Sequence, residues 1–139
     1  LKKANKIKKR RQANFNYLYK HLSKFPELIM PQTVKGADPC WFSFPITTIG
    51  DRKPLTKFLE ENGVETRSMF AGNILRHPAY LNVEHRKGTN LKEADYILEH
   101  SLWITVHPRY NPSDLKGIVD LFEKFYAKPS KRNAHSADF

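Results

Sequence analysis

Residues 102–126 read LWITVHPRYNPSDLKGIVDLFEKFY and contain the two clearest secondary-structure signals of the chain. Leu102 to Val106 is a short apolar run with the length of a buried strand. Asn111 and Pro112 are typical of a helix start, because asparagine caps the first turn and proline needs no backbone donor there. The helix that follows has apolar residues at three- and four-residue spacing, namely Leu115, Ile118, Val119, Phe122, Phe125 and Tyr126.

The rest of the chain, read outward from this stretch, alternates between helical and extended patterns. Helices are predicted over residues 4–24, 52–62 and 90–99, and strands over residues 40–48 and 64–66. Pro45 lies inside the first strand and cannot donate to a ladder, which predicts an edge or a bulge at that position. The order of these elements predicts an α+β fold, an α/β sandwich in which helices cover a small sheet.

Two stretches have no clear period. Residues 25–39 contain three prolines and a glycine and are predicted to form a loop. Residues 68–90 are longer and combine glycine, proline, histidine and arginine with the aromatic residues Phe70 and Tyr80. A long unpatterned stretch inside a compact domain is usually functional or disordered, and its aromatics argue against plain disorder.

The charge of the chain lies mainly at its two ends. The 139 residues fit one domain and have a net charge of +10, from 24 Lys and Arg against 14 Asp and Glu. Seven of the first eleven residues are basic, and Lys128, Lys131 and Arg132 form a second cluster. A basic balance favours anionic partners such as nucleic acid or phosphorylated small molecules, but here the middle of the chain is only mildly basic.

Cysteine content and hydropathy bound the setting of the protein. The single Cys40 excludes an internal disulfide framework and a cysteine-rich zinc site, and it favours a reducing, cytoplasmic location. No apolar run approaches the roughly 20 residues that span a bilayer, so no membrane partner is expected. The chain begins at Leu1 instead of methionine, which predicts a fragment of a longer protein.

Two segments hold residues that favour a functional site. Residues 66–80, TRSMFAGNILRHPAY, place two arginines, an aromatic residue and a histidine around a glycine, and arginine binds phosphate oxygens in a bidentate manner. Residues 103–112, WITVHPRYNP, end a predicted strand in a turn with His107, Arg109 and Tyr110. On composition alone, an ordinary crossover loop explains the first segment better than a functional site does. The second segment also fits an ordinary strand-to-helix turn capped by Asn111.

Several common sites have no counterpart in the sequence. Gly-rich phosphate motifs, a GxSxG elbow and an HExxH motif are absent, and none of the six histidines pairs with another at a metal-ligand spacing. We therefore predict no metal site.

A series of motifs resembles the C-terminal region of the DegT/DnrJ/EryC1/StrS family of sugar aminotransferases and dehydratases. These motifs, over roughly residues 9–126, are FxFPI at 42–46, ENGVETR at 61–67, FAGNILRHPAY at 70–80, Ala94-Asp95, and WIxVHP at 103–108. Within the family, they are most similar to nucleotide-sugar 3-dehydratases of the CDP-4-keto-6-deoxyglucose 3-dehydrase type.

The resemblance implies the small C-terminal domain of a type I, aspartate-aminotransferase-like enzyme that uses pyridoxal or pyridoxamine 5'-phosphate. It implies a large cofactor-binding domain that this chain does not contain, a homodimer, and a nucleotide-diphosphate sugar as substrate. In the dehydratase branch a histidine replaces the cofactor-binding lysine and acts as base, and that position lies in the large domain. The chain is thus expected to hold no catalytic residue.

The resemblance also implies cofactor- or substrate-binding residues. Phe70 matches the aromatic residue of a Phe-x-Gly-Asn motif that lines the site, and Asn73 and Arg76 follow it as candidates for holding sugar hydroxyls or phosphate oxygens. Arg67 and His77 belong to the same loop. His107 and Arg109 lie at the strand-end turn, where Arg109 departs from the small residue that is more usual in the dehydratases.

Three readings stay open at this stage. The parent enzyme is either a 4-keto-6-deoxy-sugar 3-dehydratase or a sugar aminotransferase of the same family, and the lysine or histidine of the large domain discriminates between them. The third reading is a small basic nucleic-acid-binding module, which no RNP-type or GXXG motif favours. The predicted organisation is a connecting helix at 1–25, a small domain at 26–127 and a polar tail at 128–139.

Overall fold

The computed structural model describes residues 2–127. Four strands form one antiparallel sheet: β1 (Leu28–Ile29), β2 (Ser43–Thr48), β3 (Thr66–Ser68) and β4 (Ser101–Thr105). Their order in the sheet is β1-β2-β4-β3, so that β4, the last strand in the sequence, lies between two earlier strands. The four helices are α1 (Ala4–Leu22), α2 (Lys53–Glu61), α3 (Lys92–His100) and α4 (Pro112–Tyr126). The α+β prediction is confirmed.

One face of the sheet carries the core. Directly paired residues lie on the same face, and the register pairs Phe44 with Ile104 and Ile46 with Leu102. These four side chains are at most 1% exposed, and each contributes about 1.5–3 kcal/mol by its burial. Around them pack residues from α1, α2 and α4, namely Phe15, Leu18, Leu22, Leu55, Leu59, Leu115, Ile118, Val119 and Phe122.

Helices α1 and α4 follow their sequence patterns. Asn111 caps α4, as the sequence predicted, and it also forms a capping box with Asp114. In α1 the charged first half is largely exposed, whereas Phe15, Leu18 and Leu22 enter the same core as the rest of the chain. The helix predicted as a separate connecting segment therefore packs as part of the sheet-and-helix core.

Several predicted boundaries were wrong. The strand predicted at 64–66 lies at Thr66–Ser68, because the backbone N–H of Val64 is taken up by Leu59 at the end of α2 (N···O 2.9 Å). The strand predicted from residue 40 begins at Ser43. Strand β1 was missed inside the predicted loop 25–39, because two residues give no period and their pairing depends on β2. The polar tail 128–139 lies outside the described residues.

Pro45 faces an open side of β2, as the edge prediction required. The N–H of Ile49 donates to Glu27, just before β1, and backbone nitrogens two residues apart point to the same side of an antiparallel strand. The nitrogen of Pro45 therefore points toward the β1 side, where the β1 register ends at Thr47. The missing donor interrupts no ladder.

The second face of the sheet is only partly covered. Pro45, Trp103 and Arg67 are paired across the three strands and lie on this face, and none of them is buried. Helices α1, α2 and α4 pack on the other side, where the apolar core lies. None of the helices in the described part of the chain is both long and apolar enough to cross a membrane.

Candidate functional site

The loop between β3 and α3, residues 69–91, contains four of the predicted site residues: Phe70, Asn73, Arg76 and His77. It forms two short 3₁₀ turns, Ile74–Arg76 and Pro78–Tyr80, and is otherwise irregular. Most of its side chains are exposed. A segment with so little apolar burial needs polar or conformational restraints to keep one structure.

Asp95 of α3 supplies the polar restraint. Its Oδ1 accepts hydrogen bonds from Asn73 Nδ2 (2.7 Å) and Arg76 Nε (2.9 Å), and its Oδ2 accepts one from Arg76 Nη2 (2.8 Å). Asn73 is buried, and its Oδ1 also accepts the N–H of Leu75 (3.0 Å), which caps the first 3₁₀ turn. We call Asn73, Arg76 and Asp95 the loop clamp.

The loop clamp shifts the ionisation of its members. The hydrogen bonds from the Arg76 guanidinium and then the Asn73 amide lower the pKa of Asp95 to about 2. The hydrogen bonds to Asp95, followed by the negative charge of that carboxylate, raise the pKa of Arg76. Asp95 is therefore ionised at neutral pH, and the bidentate pair is the strong, geometrically specific kind.

Backbone conformation supplies the second restraint. Gly72 has φ +58°, and a Cβ at this position would come within 2.6 Å of Leu98 Cβ and 2.7 Å of Leu98 Cα. Phe70, two residues earlier, is also in the left-handed region, with φ +46°. Non-glycine residues seldom adopt this conformation, and such strain tends to occur at functional sites.

Between residues 70 and 83 this loop presents five large hydrophobic side chains to the outside, namely Phe70, Ile74, Tyr80, Leu81 and Val83. The Phe70 ring is 75% exposed, and the ring of Tyr80 is half-exposed and lies 6.4 Å from His77 in an edge-on arrangement. The predicted site residues Phe70 and His77 are thus both accessible, while Asn73 Nδ2 and the Nε and Nη2 of Arg76 donate to Asp95.

A second concave region lies on the open face of the sheet near the end of β4. We call it the β4 groove. It has a volume of about 500 Å³ and is lined by Arg11, Phe42, Glu65, Arg67, Trp103, Thr105, His107 and Tyr110. Two predicted residues, Arg67 and His107, meet here although they are far apart in sequence.

Contacts fix the walls of the β4 groove. Asn14 Nδ2 donates to the carbonyl of His107 (2.7 Å), which joins α1 to the turn after β4. Trp103 Nε1 donates to the carbonyl of Ser68 (2.9 Å), which holds the indole against β3. Burial, followed by the nearby charges of Asp114 and Glu65, raises the pKa of Tyr110.

Arg67, His107 and Arg109 have different local settings. Arg67 forms an exposed ion pair with Glu65. His107 Nδ1 accepts the backbone N–H of Arg109 (3.2 Å), so the ring proton of neutral His107 lies on Nε2. Arg109 is exposed and does not line the groove.

Three residues at these places were not identified from the sequence. Asp95 was noticed only as part of a motif, and Arg11 only as one of the seven basic residues among the first eleven. Trp103 was assigned to a buried strand. A charged residue on the core side of a helix is the signal that points to Arg11, whereas the role of Asp95 depends on partners from another element. Among residues 2–127, no cluster of His, Cys, Asp and Glu could hold a metal ion.

Comparison with known proteins identifies relatives of the whole chain. The model of the DegT/DnrJ/EryC1/StrS aminotransferase family matches residues 1–123. The lipopolysaccharide biosynthesis protein RfbH of Salmonella typhimurium is 37% identical over 131 residues, which are 91% of this chain and 30% of RfbH. The dTDP-4-dehydro-2,6-dideoxy-D-glucose 3-dehydratase of Saccharopolyspora spinosa is 35% identical over 124 residues, 86% of this chain and 27% of that protein.

A solved structure has the same fold. The Escherichia coli GDP-4-keto-6-deoxy-D-mannose-3-dehydratase with bound hydrated PLP superposes with a TM-score of 0.78 and is 22% identical. The match covers 87% of this chain and 32% of that structure. At this identity the similarity concerns the fold, and it confirms the predicted fold class. The chain spans less than a third of the length of the curated relatives named here.

Proposed function

Because the chain belongs to the DegT/DnrJ/EryC1/StrS aminotransferase family, we propose that it is the C-terminal part of a PLP- or PMP-dependent nucleotide-sugar enzyme. We assign the parent enzyme as a 4-keto-6-deoxy-sugar 3-dehydratase of deoxysugar or lipopolysaccharide biosynthesis. The single observation that carries this assignment is the 35% identity over 124 residues to a protein named as a 3-dehydratase. The name of RfbH supports the biosynthetic setting.

In this proposal the loop of residues 69–91 forms one wall of the active site. Phe70 offers an exposed apolar ring, and the loop clamp holds the backbone beneath it. Such a wall would orient the substrate and exclude water, both of which raise reaction rates without any proton transfer. Asn73 and Arg76 would act on the substrate mainly through the position of the loop, because Asn73 Nδ2 and the Nε and Nη2 of Arg76 donate to Asp95.

The described residues fit one face of the cofactor. A pyridine ring needs a flat apolar surface, which the exposed ring of Phe70 offers, and a cofactor phosphate needs donors that are not already paired. Arg67 pairs with Glu65 and Arg76 with Asp95, so neither of these two guanidinium groups is wholly free to bind a phosphate. When bound, the cofactor would supply the electron sink for removal of the C3 hydroxyl. The residues that bind the cofactor phosphate, and the base, would belong to the preceding domain.

The remaining features of the proposal follow from the family assignment. The parent enzyme would be a homodimer in the cytoplasm, and its substrate would be a nucleotide-diphosphate sugar. His107 would bind and orient and not act as the base, since its Nδ1 accepts the N–H of Arg109. In the proposal, Arg109 stays a candidate for substrate contact.

The test uses the enzyme with the sequence that precedes this chain included. Loaded with pyridoxamine 5'-phosphate and given a nucleotide-linked 4-keto-6-deoxy sugar, it is expected to remove the C3 hydroxyl, which mass spectrometry of the sugar detects. Transfer of an amino group from glutamate to C4, with C3 intact, would identify the aminotransferase instead. If the enzyme forms neither product with CDP-, dTDP- or GDP-linked substrates, the family-based assignment is contradicted.

The role of Phe70 is tested in the same enzyme. Phe70→Ala is expected to lower kcat/KM by roughly tenfold to a hundredfold, because a misplaced substrate reacts slowly. Val83→Ala changes a half-exposed side chain of the same loop and serves as the control. Equal kinetics for both variants would contradict the placement of Phe70 in the active-site wall.

The nucleic-acid alternative has its own measurement. A basic module at micromolar concentration would shift the gel mobility of a nucleic-acid duplex, and its affinity would fall steeply as the salt concentration rises. If the chain is part of the proposed enzyme, we expect no mobility shift even at low salt.

A further inference from the structure

Two strained residues lie at the two ends of the loop between β3 and α3. Phe70, with φ +46°, lies two residues after the end of β3, and Leu91, with φ +56°, lies immediately before α3. They are the non-glycine residues with a left-handed backbone in the part of the chain that the structure describes. Bulky residues rarely adopt this conformation, and it persists only where the surrounding structure imposes it.

The structure on the outer side of each strained residue is fixed. Trp103 Nε1 donates to the carbonyl of Ser68 (2.9 Å) and holds the end of β3. On the other side, Tyr96 Oη donates to the carbonyl of Thr48 (3.3 Å), and Thr48 Oγ1 donates to the carbonyl of His100 (3.2 Å). These bonds hold α3 against β2. Both stems of the loop are thus anchored to the sheet.

The segment between the two strained residues has little apolar burial. Of residues 71–90, all of which the structure describes, Asn73 alone is buried, and residues 76–90 are exposed throughout. The loop clamp and the close approach of Gly72 to Leu98 hold the segment to α3. Segments held by few buried contacts open at a lower free energy than the core around them.

We propose that residues 71–90 form a flap that opens as one unit, with Phe70 and Leu91 as its hinges and the loop clamp as its latch. Opening returns both hinge backbones to ordinary negative φ values, and the strain released there lowers the free energy needed to break the latch. The role of the flap rests on the proposed function. Because the flap begins beside Phe70, its opening admits the substrate to the candidate site and releases the product.

Hydrogen exchange of the 139-residue chain, read at single amides by NMR, tests whether the flap opens as a unit. The reporters are five flap amides that donate hydrogen bonds inside the loop, namely Gly72, Leu75, Arg76, His77 and Tyr80. Their protection factors are expected to agree within roughly fivefold and to lie at least roughly a hundredfold below those of the paired amides of β2 and β4.

Paired substitutions test the hinges. Leu91→Gly and Leu91→Ala both remove the side chain beyond Cβ, but only glycine adopts a positive φ without a steric penalty. If Leu91 is strained in the closed flap and relaxed in the open one, the flap of Leu91→Gly opens roughly threefold to tenfold less often than that of Leu91→Ala. The same difference is expected between Phe70→Gly and Phe70→Ala.

Leu81 provides the matched control inside the flap. It has φ −59° and is 58% exposed, so a glycine there relieves no strain. Glycine gives the open flap more conformational freedom than alanine does. Leu81→Gly is therefore expected to open at least as often as Leu81→Ala, which is opposite in sign to the hinge pairs. Urea unfolding of all six variants checks that the core is kept.

Three results would overturn the proposal. They are flap amides as protected as those of β2 and β4, protection factors scattered along the flap without a common value, or equal opening of the glycine and alanine variants at both hinges. None of these measurements requires a reaction. An enzyme that dehydrates its substrate while its flap fails these tests would refute the flap alone, whereas a flap that passes them in an enzyme without dehydration or transamination would refute the proposed function alone.

Discussion

The sheet with its three packed helices and the loop of residues 69–91 lie side by side but are held by different interactions. In the sheet and helices, side chains such as Phe44, Leu18 and Phe122 are fully buried, and stability is spread over many apolar contacts. In the loop, a single carboxylate, a glycine and one buried amide determine the conformation. Because the two regions share few restraints, we expect that substitutions in the loop change the shape of the candidate site without loss of the fold.

The largest expected effect is the difference in stability between two separate Phe→Ala variants, one in each region. Phe44→Ala removes a fully buried ring that lies 4.9 Å from Phe15, and it should lower the free energy of unfolding by about 3–5 kcal/mol. Phe70→Ala removes an exposed ring and should change it by less than about 0.5 kcal/mol. Urea unfolding of the two variants measures the contrast, and similar losses would refute the division between the regions.

A smaller effect is expected from Gly72→Ala. The new Cβ would collide with Leu98, and the alanine would have to keep a left-handed backbone conformation, at a cost of roughly 1–3 kcal/mol. Gly88→Ala, in the same loop, meets nothing within 4 Å and is the matched control. Hydrogen exchange should speed up over residues 69–80 in the first variant alone. A loop that stays protected in Gly72→Ala would mean that Gly72 is not a restraint.

The loop clamp should respond to acid before the core does. The pKa of Asp95 is lowered to about 2 from an ordinary value of 3.8, so its stabilising contribution is present above pH 3.8 and is lost as the pH falls toward about 2. Asp95→Asn should release the loop already at neutral pH. Asp120→Asn, which breaks the exposed Lys116 pair on α4, should leave loop exchange unchanged.

The core should instead respond to alkali, and this is the smallest expected effect at ordinary pH. Burial, and then the charge of Glu27, raises the pKa of Tyr126 well above its usual 10.0. The unfolded chain therefore loses this proton first, and stability falls as the pH rises above 10.0. Tyr126→Phe should flatten that part of the stability curve. An unchanged alkaline slope would show that Tyr126 ionises as freely in the folded chain.

What the sequence could predict depended on how local each signal is. The start of α4 was predicted from Asn111 and Pro112, because the asparagine cap and the proline both act within the first turn and need no other element. The two residues of β1 could not be predicted, because their pairing with Thr47 and Thr48 is made by the fold. Apolar periodicity identified most of the core for the same local reason.

The candidate site divides in the same way. The region of Phe70 and Gly72 was predicted as a site, because unusual residue types cluster within a few positions. The partner of Asn73 lies 22 residues away and that of Arg76 lies 19 residues away. The family resemblance therefore assigned both side chains to sugar hydroxyls or phosphate oxygens, whereas the structure pairs them with Asp95. The β4 groove joins α1, β3 and β4 and exists only after folding.

Pro45 has a consequence for how copies of this chain meet. A strand edge with free N–H groups is a template on which a second molecule can add a strand. On the side of β2 where β1 stops at Thr47, the next inward nitrogen belongs to Pro45 and has no hydrogen to offer. The short β1 and this proline together protect this edge of the sheet from pairing with the edge of a second molecule.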